Sequence, residues 1–280
     1  MRCIIAFSWA SFGAATEWQL YQLYISRIIL PRLFADAPLP PNQLFDPAYR
    51  GPPIPFCDPS LPFAASRHGE DYVVKQSSDQ RHTEAFNILF VKSLTTIPVP
   101  NVEEVIVRRG RAYIIQTHIK GETLAECWSD LSWWSRLGVV WTLRGYVSQL
   151  RRLQRSVPGP VVDTPSEGHF FSDYGAGPFS SYQDMTEWFN HKLDVAQKMS
   201  KTSMDAPRWD CSWPLVFVHN DLNMRNILLG EDGQLYLLDW AWSGFYPAWF
   251  EYASMRHERD QQPRSWAYLC LLYTSDAADE

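Results

Sequence analysis

The stretch LVFVHNDLNMRNILLGEDGQLYLLDW, residues 215–240, decides the fold. Apolar runs alternate with short polar segments, which predicts a strand before His219, a second strand after Asn226 and a third strand that ends at Asp239. The Gly-Glu-Asp-Gly segment between the second and third strands predicts a turn. Two carboxylates, Asp221 and Asp239, and the carboxamide of Asn226 are therefore expected to cluster at strand ends.

These three side chains are the groups that phosphoryl transfer requires. A carboxylate can accept the proton of an attacking hydroxyl, and oxygen ligands can hold magnesium on the phosphates. An isolated aspartate in a loop is usually a turn residue. Three such groups at the ends of neighbouring strands instead indicate a phosphotransfer site, because that reaction depends mostly on alignment and charge neutralisation.

The spacing of these residues resembles the catalytic core of the kinase superfamily. That core has His-x-Asp and an Asn five residues after the Asp, followed by a strand-terminal Asp. Here the segments are HNDLNMRN at 219–226 and DWA at 239–241. Trp240 and the absence of D-F-G and A-P-E segments weaken the alternative of a protein kinase and bring the sequence closer to the aminoglycoside phosphotransferase and choline kinase group.

Four further segments resemble the fungal branch of that phosphotransferase family, and the resemblance covers residues 72–252. They are IPVP at 97–100, IKGETL at 119–124, GPF at 177–179 and WSGFYP at 242–247. The resemblance implies an α+β fold of the bilobal protein kinase-like type. A small β-rich N-lobe with one helix would precede a larger, mainly helical C-lobe.

The resemblance also implies roles for individual residues. Asp221 would be the catalytic base, and His219 would orient the loop that carries it. Asn226 and Asp239 would bind Mg²⁺ that bridges the phosphates of ATP. The expected reaction is ATP-dependent phosphorylation of a small-molecule hydroxyl.

The same resemblance implies an ATP-binding role for four residues nearer the N-terminus. Lys75 would hold the α- and β-phosphates, and Glu84 would be its partner on the following helix. Gln116 and His118 would belong to a hinge at 116–119 along which adenine lies. The alternative interpretation is that Lys75 is a solvated edge residue and that Glu84 is a helix-capping charge.

Two departures from the family pattern favour a second function, that of a catalytically impaired pseudokinase that binds nucleotide or acts as a scaffold. Ala241 stands where many family members have an acid, two residues after the metal-binding Asp. The segment at 64–70, where a phosphate-covering loop is expected, contains a single glycine. The intact Asp221, Asn226 and Asp239 favour the enzyme.

Local patterns predict the organisation of the chain. Residues 72–75 read as a strand, 84–94 as a helix that follows Thr83, and 105–107 with 112–115 as a hairpin. Apolar residues at three- and four-residue steps predict a helix over 137–153, and Ser181 with Asp184 predicts the start of another. The expected divisions are an accessory helix and proline-rich linker at 1–62, an N-lobe at 63–119, a C-lobe at 120–269 and a tail at 270–280.

The tail CLLYTSDAADE does not continue the character of the preceding sequence. One codon assignment for it reproduces a transposon-end sequencing adapter read in frame. We therefore expect residues 270–280 to be a sequencing-adapter artefact that is not part of the fold.

Bulk properties exclude several function classes. A net charge of −6 and a pI near 5.7 give no electrostatic footprint for nucleic acid. The only dense basic run is Arg108, Arg109 and Arg111 around Gly110, and its position between two predicted strands favours a solvated hairpin turn over a binding patch. Five scattered cysteines, none at Cys-x-x-Cys spacing, indicate a reduced compartment. Residues 1–15 weakly resemble a secretory signal, but the expected ATP chemistry favours a cytoplasmic setting. We expect a small-molecule substrate, no nucleic acid and no membrane partner; the sequence carries no signal for an oligomeric state.

Overall fold

The computed structural model describes residues 65–77, 83–108, 111–171 and 174–257, together with Pro263 and Trp266. The expected accessory helix and proline-rich linker at 1–62 and the tail at 270–280 lie outside these residues.

The first half of the described chain forms a small lobe of four antiparallel strands and one helix. Its elements are β1 Ala65–His68, β2 Tyr72–Ser77, α1 Thr83–Leu94, β3 Val102–Arg108 and β4 Arg111–Thr117. The strands lie in the order β1-β2-β4-β3. The predicted strand, helix and hairpin are therefore present, and β1 and β2 form a further hairpin where a phosphate-covering loop was expected.

The register of the sheet places Lys75 on an inner strand. β2 lies between β1 and β4, and Lys75 is opposite Ala65 on one side and Ile114 on the other. The alternative interpretation of Lys75 as an edge residue is therefore wrong. The sheet and α1 share a small apolar core of Ala85, Val105 and Ile114.

The second half of the described chain forms a larger lobe with two long helices, two shorter ones and several short strands. In chain order these are β5 Gly121–Thr123, α2 Leu124–Cys127, α3 Trp133–Arg151, α4 Tyr182–Lys198, β6 Leu215–Val218, β7 Ile227–Gly230, β8 Leu235–Leu237, β9 Gly244–Pro247 and α5 Trp249–His257. β5, β7 and β8 form one sheet, and β6 pairs with β9. A single 3₁₀ turn, Met224–Asn226, precedes β7.

Side-chain caps fix the starts of the two longest helices. The Ser132 hydroxyl accepts the backbone N–H of Ser135 at 3.1 Å, and the Ser181 hydroxyl accepts that of Asp184 at 3.1 Å. These bonds satisfy N–H groups that have no partner within the helix. The predicted start at Ser181 is therefore correct, and α3 begins earlier than its apolar pattern indicated.

Large apolar side chains fill the centre of the second lobe. The largest fully buried ones are Trp240, Tyr246, Phe217, Phe245 and Phe250. Every residue of β6 is buried, which explains its uninterrupted apolar run. The architecture confirms the predicted α+β, kinase-like organisation, with a small sheet lobe before a larger, mainly helical lobe. Among the described residues, no helix is both long enough and apolar enough to cross a membrane.

Gly121 allows β5 to approach β7 closely. Its φ is +154°, and a Cβ atom there would lie 2.2 Å from the carbonyl oxygen of Leu229. We expect Gly121→Ala to lower the free energy of unfolding by about 3 kcal/mol, because backbone atoms cannot yield as a flexible side chain does. Urea denaturation measures this change.

The matched control is Gly145→Ala on α3, where an added Cβ meets nothing within 4 Å. This substitution should raise the free energy of unfolding by about 0.5–1 kcal/mol, because alanine loses less backbone entropy in a helix. Equal effects of the two substitutions would contradict the close approach at Gly121.

Candidate functional site

A cleft of about 580 Å³ receives side chains from both lobes. Six of the eight residues predicted from the sequence line it: Lys75, Gln116, His118, Asp221, Asn226 and Asp239. The other two, Glu84 and His219, are buried and bonded to residues of the cleft wall. The structure therefore brings the predicted set together.

Lys75 bridges the two lobes through two ion pairs. Its Nζ lies 2.7 Å from Oε1 of Glu84 on α1 and 2.9 Å from Oδ1 of Asp239, which follows β8. The amide of Gln116 donates to the same Glu84 oxygen at 3.2 Å. Gln116 therefore supports the ion pair with its side chain, although the sequence suggested that it belongs to the adenine hinge.

Burial and the mutual attraction of the charges shift the pKa values of Lys75, Asp239 and Glu84. Burial opposes the charge of Lys75, but the two carboxylates outweigh it and raise the pKa of Lys75 above its ordinary value. Burial would raise the pKa of Asp239, yet the adjacent Lys75 holds it below its ordinary value. Burial raises the pKa of Glu84, against the pull of Lys75. Asp239, with 43% of its side chain exposed, faces the cleft as an anion.

Two carboxamides hold the Asp221 carboxylate. Asn226 Nδ2 donates to Oδ2 of Asp221 at 2.8 Å and to its backbone carbonyl at 2.9 Å. Asn223 Nδ2 donates to Oδ1 at 3.0 Å. Because the Asn226 nitrogen is used in this way, its carbonyl oxygen remains as the atom that can accept a cation.

Asn223, which the sequence did not single out, also shapes the 219–226 loop. Its Oδ1 accepts the backbone N–H of Arg225 at 2.9 Å and caps the 3₁₀ turn. An asparagine two residues before the bonded N–H is typical of an Asx-turn, so this signal was present in the sequence.

His219 joins Asp221 to the end of β8. Its Nδ1 accepts the backbone N–H of Asp221 at 3.3 Å, and its Nε2 lies 2.9 Å from the carbonyl oxygen of Leu238. This pairing assigns the proton to Nε2. Burial lowers the pKa of His219, which keeps the ring neutral and able to accept at one nitrogen and donate at the other.

Glu251 on α5 fixes the backbone of the 219–226 loop. Its Oε2 accepts the N–H of His219 at 2.6 Å, and its Oε1 accepts the N–H of Asn220 at 3.1 Å. Ser254, one turn further along α5, donates its hydroxyl to the carbonyl oxygen of Asn220 at 2.7 Å. Asn220 has a left-handed φ of 65°, a conformation that asparagine tolerates better than most residues.

Sequence reasoning missed both Glu251 and His169. Glu251 is an acid within the apolar run of α5, which is a weak sign of a buried partner. His169 Nε2 lies 3.7 Å from Oδ1 of Asp221, and nothing in its local sequence indicates this contact.

The segment after β4 holds the β1–β2 turn. The backbone N–H of His118 donates to the carbonyl oxygen of Asp71 at 2.6 Å, and its Nδ1 lies 3.0 Å from that of Glu70. Partial burial lowers the pKa of His118. Thr117, His118 and Ile119 line the cleft, so the segment predicted as a hinge forms part of its wall.

The donor set suits a cation that also binds phosphate. Within the described part of the chain, no group of three or more His, Cys, Asp or Glu side chains could hold a metal by itself. Mg²⁺ commonly takes only one or two protein ligands and completes its shell with water and substrate phosphates. The carboxylate of Asp239 and the carbonyl oxygen of Asn226 fit that pattern.

Burial raises the pKa of Glu251 from its ordinary value of 4.5 to about 7, although the two N–H donors and Arg151 oppose this change. The folded protein therefore keeps a proton that the unfolded chain loses above about pH 4.5. The stabilisation is complete below pH 4.5 and is lost as the pH rises through 7. The whole effect amounts to about 3 kcal/mol.

We therefore expect the stability of the parent, relative to Glu251→Gln, to fall by about 3 kcal/mol between pH 4.5 and pH 8, because glutamine does not titrate. Urea denaturation across this range measures the difference. Glu187→Gln, at an exposed position of α4, is the matched control and should follow the parent. A parent-to-variant difference that does not change with pH would contradict a buried, titrating Glu251.

Comparison with known proteins gives a family and a distant structural likeness. Residues 65–271 match the profile of the phosphotransferase enzyme family. None of the curated proteins with which the sequence was compared matches it.

Solved structures to which the chain is similar include two aminoglycoside phosphotransferases and a viral kinase. ADP-bound APH(2'')-Ib is 13% identical, with a TM-score of 0.48 over 78% of this chain and 75% of that chain. APH(2'')-IIa in complex with gentamicin is 15% identical, with a TM-score of 0.47 over 76% and 73%. Cydia pomonella granulovirus kinase PK-1 is 11% identical, with a TM-score of 0.38 over 66% and 49%.

The family match covers well over half of the chain and includes every residue of the cleft described above. The chain therefore belongs to the phosphotransferase enzyme family.

Proposed function

We propose that this protein transfers the γ-phosphate of ATP to a hydroxyl group of a small molecule. The observation that carries the proposal is the double ion pair of Lys75 with Glu84 and Asp239, which faces the same cleft as Asp221 and Asn226. Membership of the phosphotransferase family supports the reaction class. Because ATP is an intracellular phosphate donor, we place the reaction in the cytoplasm.

The nucleotide would bind between the β1–β2 hairpin and the 117–119 segment. Lys75 supplies a positive charge for the phosphates, and Glu84 keeps that charge in place. Gln116 donates to the same Glu84 oxygen at 3.2 Å and so helps to keep the carboxylate beside Lys75. Adenine would lie against Thr117 and Ile119.

Asp221 would act as the base. The acceptor oxygen bonds to the γ-phosphorus, the bond from that phosphorus to the β–γ bridging oxygen breaks, and ADP leaves with the electron pair. The hydroxyl proton passes to the Asp221 carboxylate. Asn223 and Asn226 hold this carboxylate by one oxygen each, which orients it before the acceptor arrives.

The carbonyl oxygen of Asn226 and the carboxylate of Asp239 would hold Mg²⁺. When bound, this ion neutralises the negative charge that builds up on the phosphates. Asp239 is also bonded to Lys75. In the nucleotide complex, the Asp239 carboxylate would bind the cation and Lys75 would bind the phosphates.

The second candidate function is the pseudokinase scaffold, and Ala241 favours it because no acid follows Asp239 at that position. The two functions differ in what they require of the cleft. An enzyme must bind ATP with magnesium and turn it over, whereas a scaffold need do neither.

ATP with Mg²⁺ should raise the melting temperature of the parent by several degrees, because the ligand binds only the folded state. Asp239→Ala should lose the magnesium-dependent part of this increase. With ATP and EDTA, the melting temperature of the variant should rise at least as much as that of the parent. Lys75 then has one carboxylate partner fewer and can bind the phosphates more readily. Thermal-shift measurements at saturating nucleotide test these expectations, and a parent without any nucleotide response would favour the scaffold.

Asp221→Asn should lower turnover at least about a hundredfold while leaving ATP binding unchanged, because the carboxamide cannot accept the hydroxyl proton. ADP release, measured with a panel of amino alcohols, sugars and aminoglycosides, provides the assay. Asp205→Asn, at an exposed loop position, is the matched control and should retain full activity. Unimpaired turnover by Asp221→Asn would remove Asp221 from the proposed reaction.

A further inference from the structure

A loop closed on itself brings an imidazole to Asp221. Ser166 and Ala176 exchange two backbone hydrogen bonds of 2.7 and 2.9 Å and so close the loop. Within it, His169 places Nε2 3.7 Å from Oδ1 of Asp221, with 15% of its side chain exposed. His169 is not among the residues that line the nucleotide cleft. It therefore reaches the carboxylate from outside that cleft.

The glycine before His169 is needed for the approach. Gly168 has a φ of +118°, and a Cβ atom there would lie 3.2 Å from Nδ2 of Asn220 and 3.3 Å from the indole of Trp242. The loop thus lies directly on the 219–226 loop. Trp242 also meets the His169 ring edge to face, with centroids 4.7 Å apart.

The residues after His169 anchor the loop in the core. The Phe170 ring packs on that of Phe250 at 4.6 Å, and the Phe171 ring packs on those of Tyr246 at 5.5 Å and Phe189 at 5.7 Å. Aromatic contacts of this kind fix a segment in one place. With both flanks held, the position of the imidazole is determined by the fold.

We propose that His169 is a positioning residue of the phosphotransfer site and acts through Asp221. This inference rests on the proposed function. Asn226 restrains Oδ2 of Asp221, whereas Oδ1 lies between Asn223 and His169. At 3.7 Å, Nε2 lies beyond hydrogen-bond distance, and an N–H at this nitrogen would attract the Asp221 carboxylate and limit its rotation.

A carboxylate that can rotate is a poorer base, but its rotation does not change the binding of ATP. Loss of the His169 nitrogen should therefore lower kcat and leave KM for ATP unchanged. A ring without nitrogen, as in His169→Phe, keeps the packing against Trp242. In His169→Gln, the side-chain amide nitrogen can take about the position that Nε2 of the histidine has.

The experiment measures ADP release from Mg-ATP, both with the acceptor panel and with water as the only acceptor. We expect His169→Phe to lower kcat about tenfold or more with KM for ATP within twofold of the parent, and His169→Gln to recover most of the loss. His191→Phe, at an exposed position of α4, is the control and should leave both constants unchanged.

A second measurement does not depend on turnover. Urea denaturation midpoints are compared for His169→Phe in the parent and in the Asp221→Asn background, and we expect the smaller shift in the latter. Equal shifts would show that the contribution of His169 does not depend on the Asp221 carboxylate and would overturn the proposal. Unequal shifts with an unchanged kcat, or an equal loss in the Phe and Gln variants, would reduce His169 to a packing residue and would overturn it as well.

The two proposals fail in different ways. If the parent releases no ADP under any condition, the proposed function fails and the positioning role fails with it, whereas the midpoints still report the contact. If the parent is active and His169→Phe is equally active, only the role of His169 is refuted.

Discussion

The ammonium of Lys75, held 2.7 Å from Glu84 and 2.9 Å from Asp239, is the contact on which the arrangement of the site depends. The Lys75–Asp239 bond joins residues 164 positions apart and connects the sheet lobe to the end of β8. Burying Lys75 and Glu84 costs about as much as the attraction between the charges returns, so such a cluster adds little to stability. Its value lies in fixing where the two lobes meet and where a positive charge faces the cleft.

At Glu251, on the other side of the site, the cost of burying a charge is again set against favourable contacts. Glu251 is 1% exposed, and burial of its charge raises its pKa in spite of the two hydrogen bonds that the carboxylate accepts. The folded state would be more stable with a neutral group there. What the carboxylate supplies is a fixed direction for two successive N–H groups, and hence for the loop that carries Asp221. Neither cluster is therefore there to stabilise the fold, and both hold groups in position, as functional sites often do.

The sequence predicted those parts of the site that local pattern determines. Asp221, Asn226 and Asp239 lie at strand ends within a short stretch, so strand and turn signals sufficed to bring them together. The central position of Lys75 depends on strand order, which sequence alone does not specify. Glu251 lies 32 residues from its partner His219, and His169 lies 52 residues from its partner Asp221. Their contacts arise only when helices and loops pack, and no local periodicity marks them.

The two clusters are connected through one neutral imidazole. Glu251 holds the backbone N–H of His219, and the ring of His219 accepts from Asp221 and reaches the carbonyl oxygen of Leu238. The next residue, Asp239, has a left-handed φ of 63°, which turns the chain sharply at the end of β8. An imidazolium could not accept the Asp221 N–H, so the connection requires the neutral ring that burial enforces. The buried His219 thus connects the loop that carries Asp221 to the end of β8, which carries Asp239.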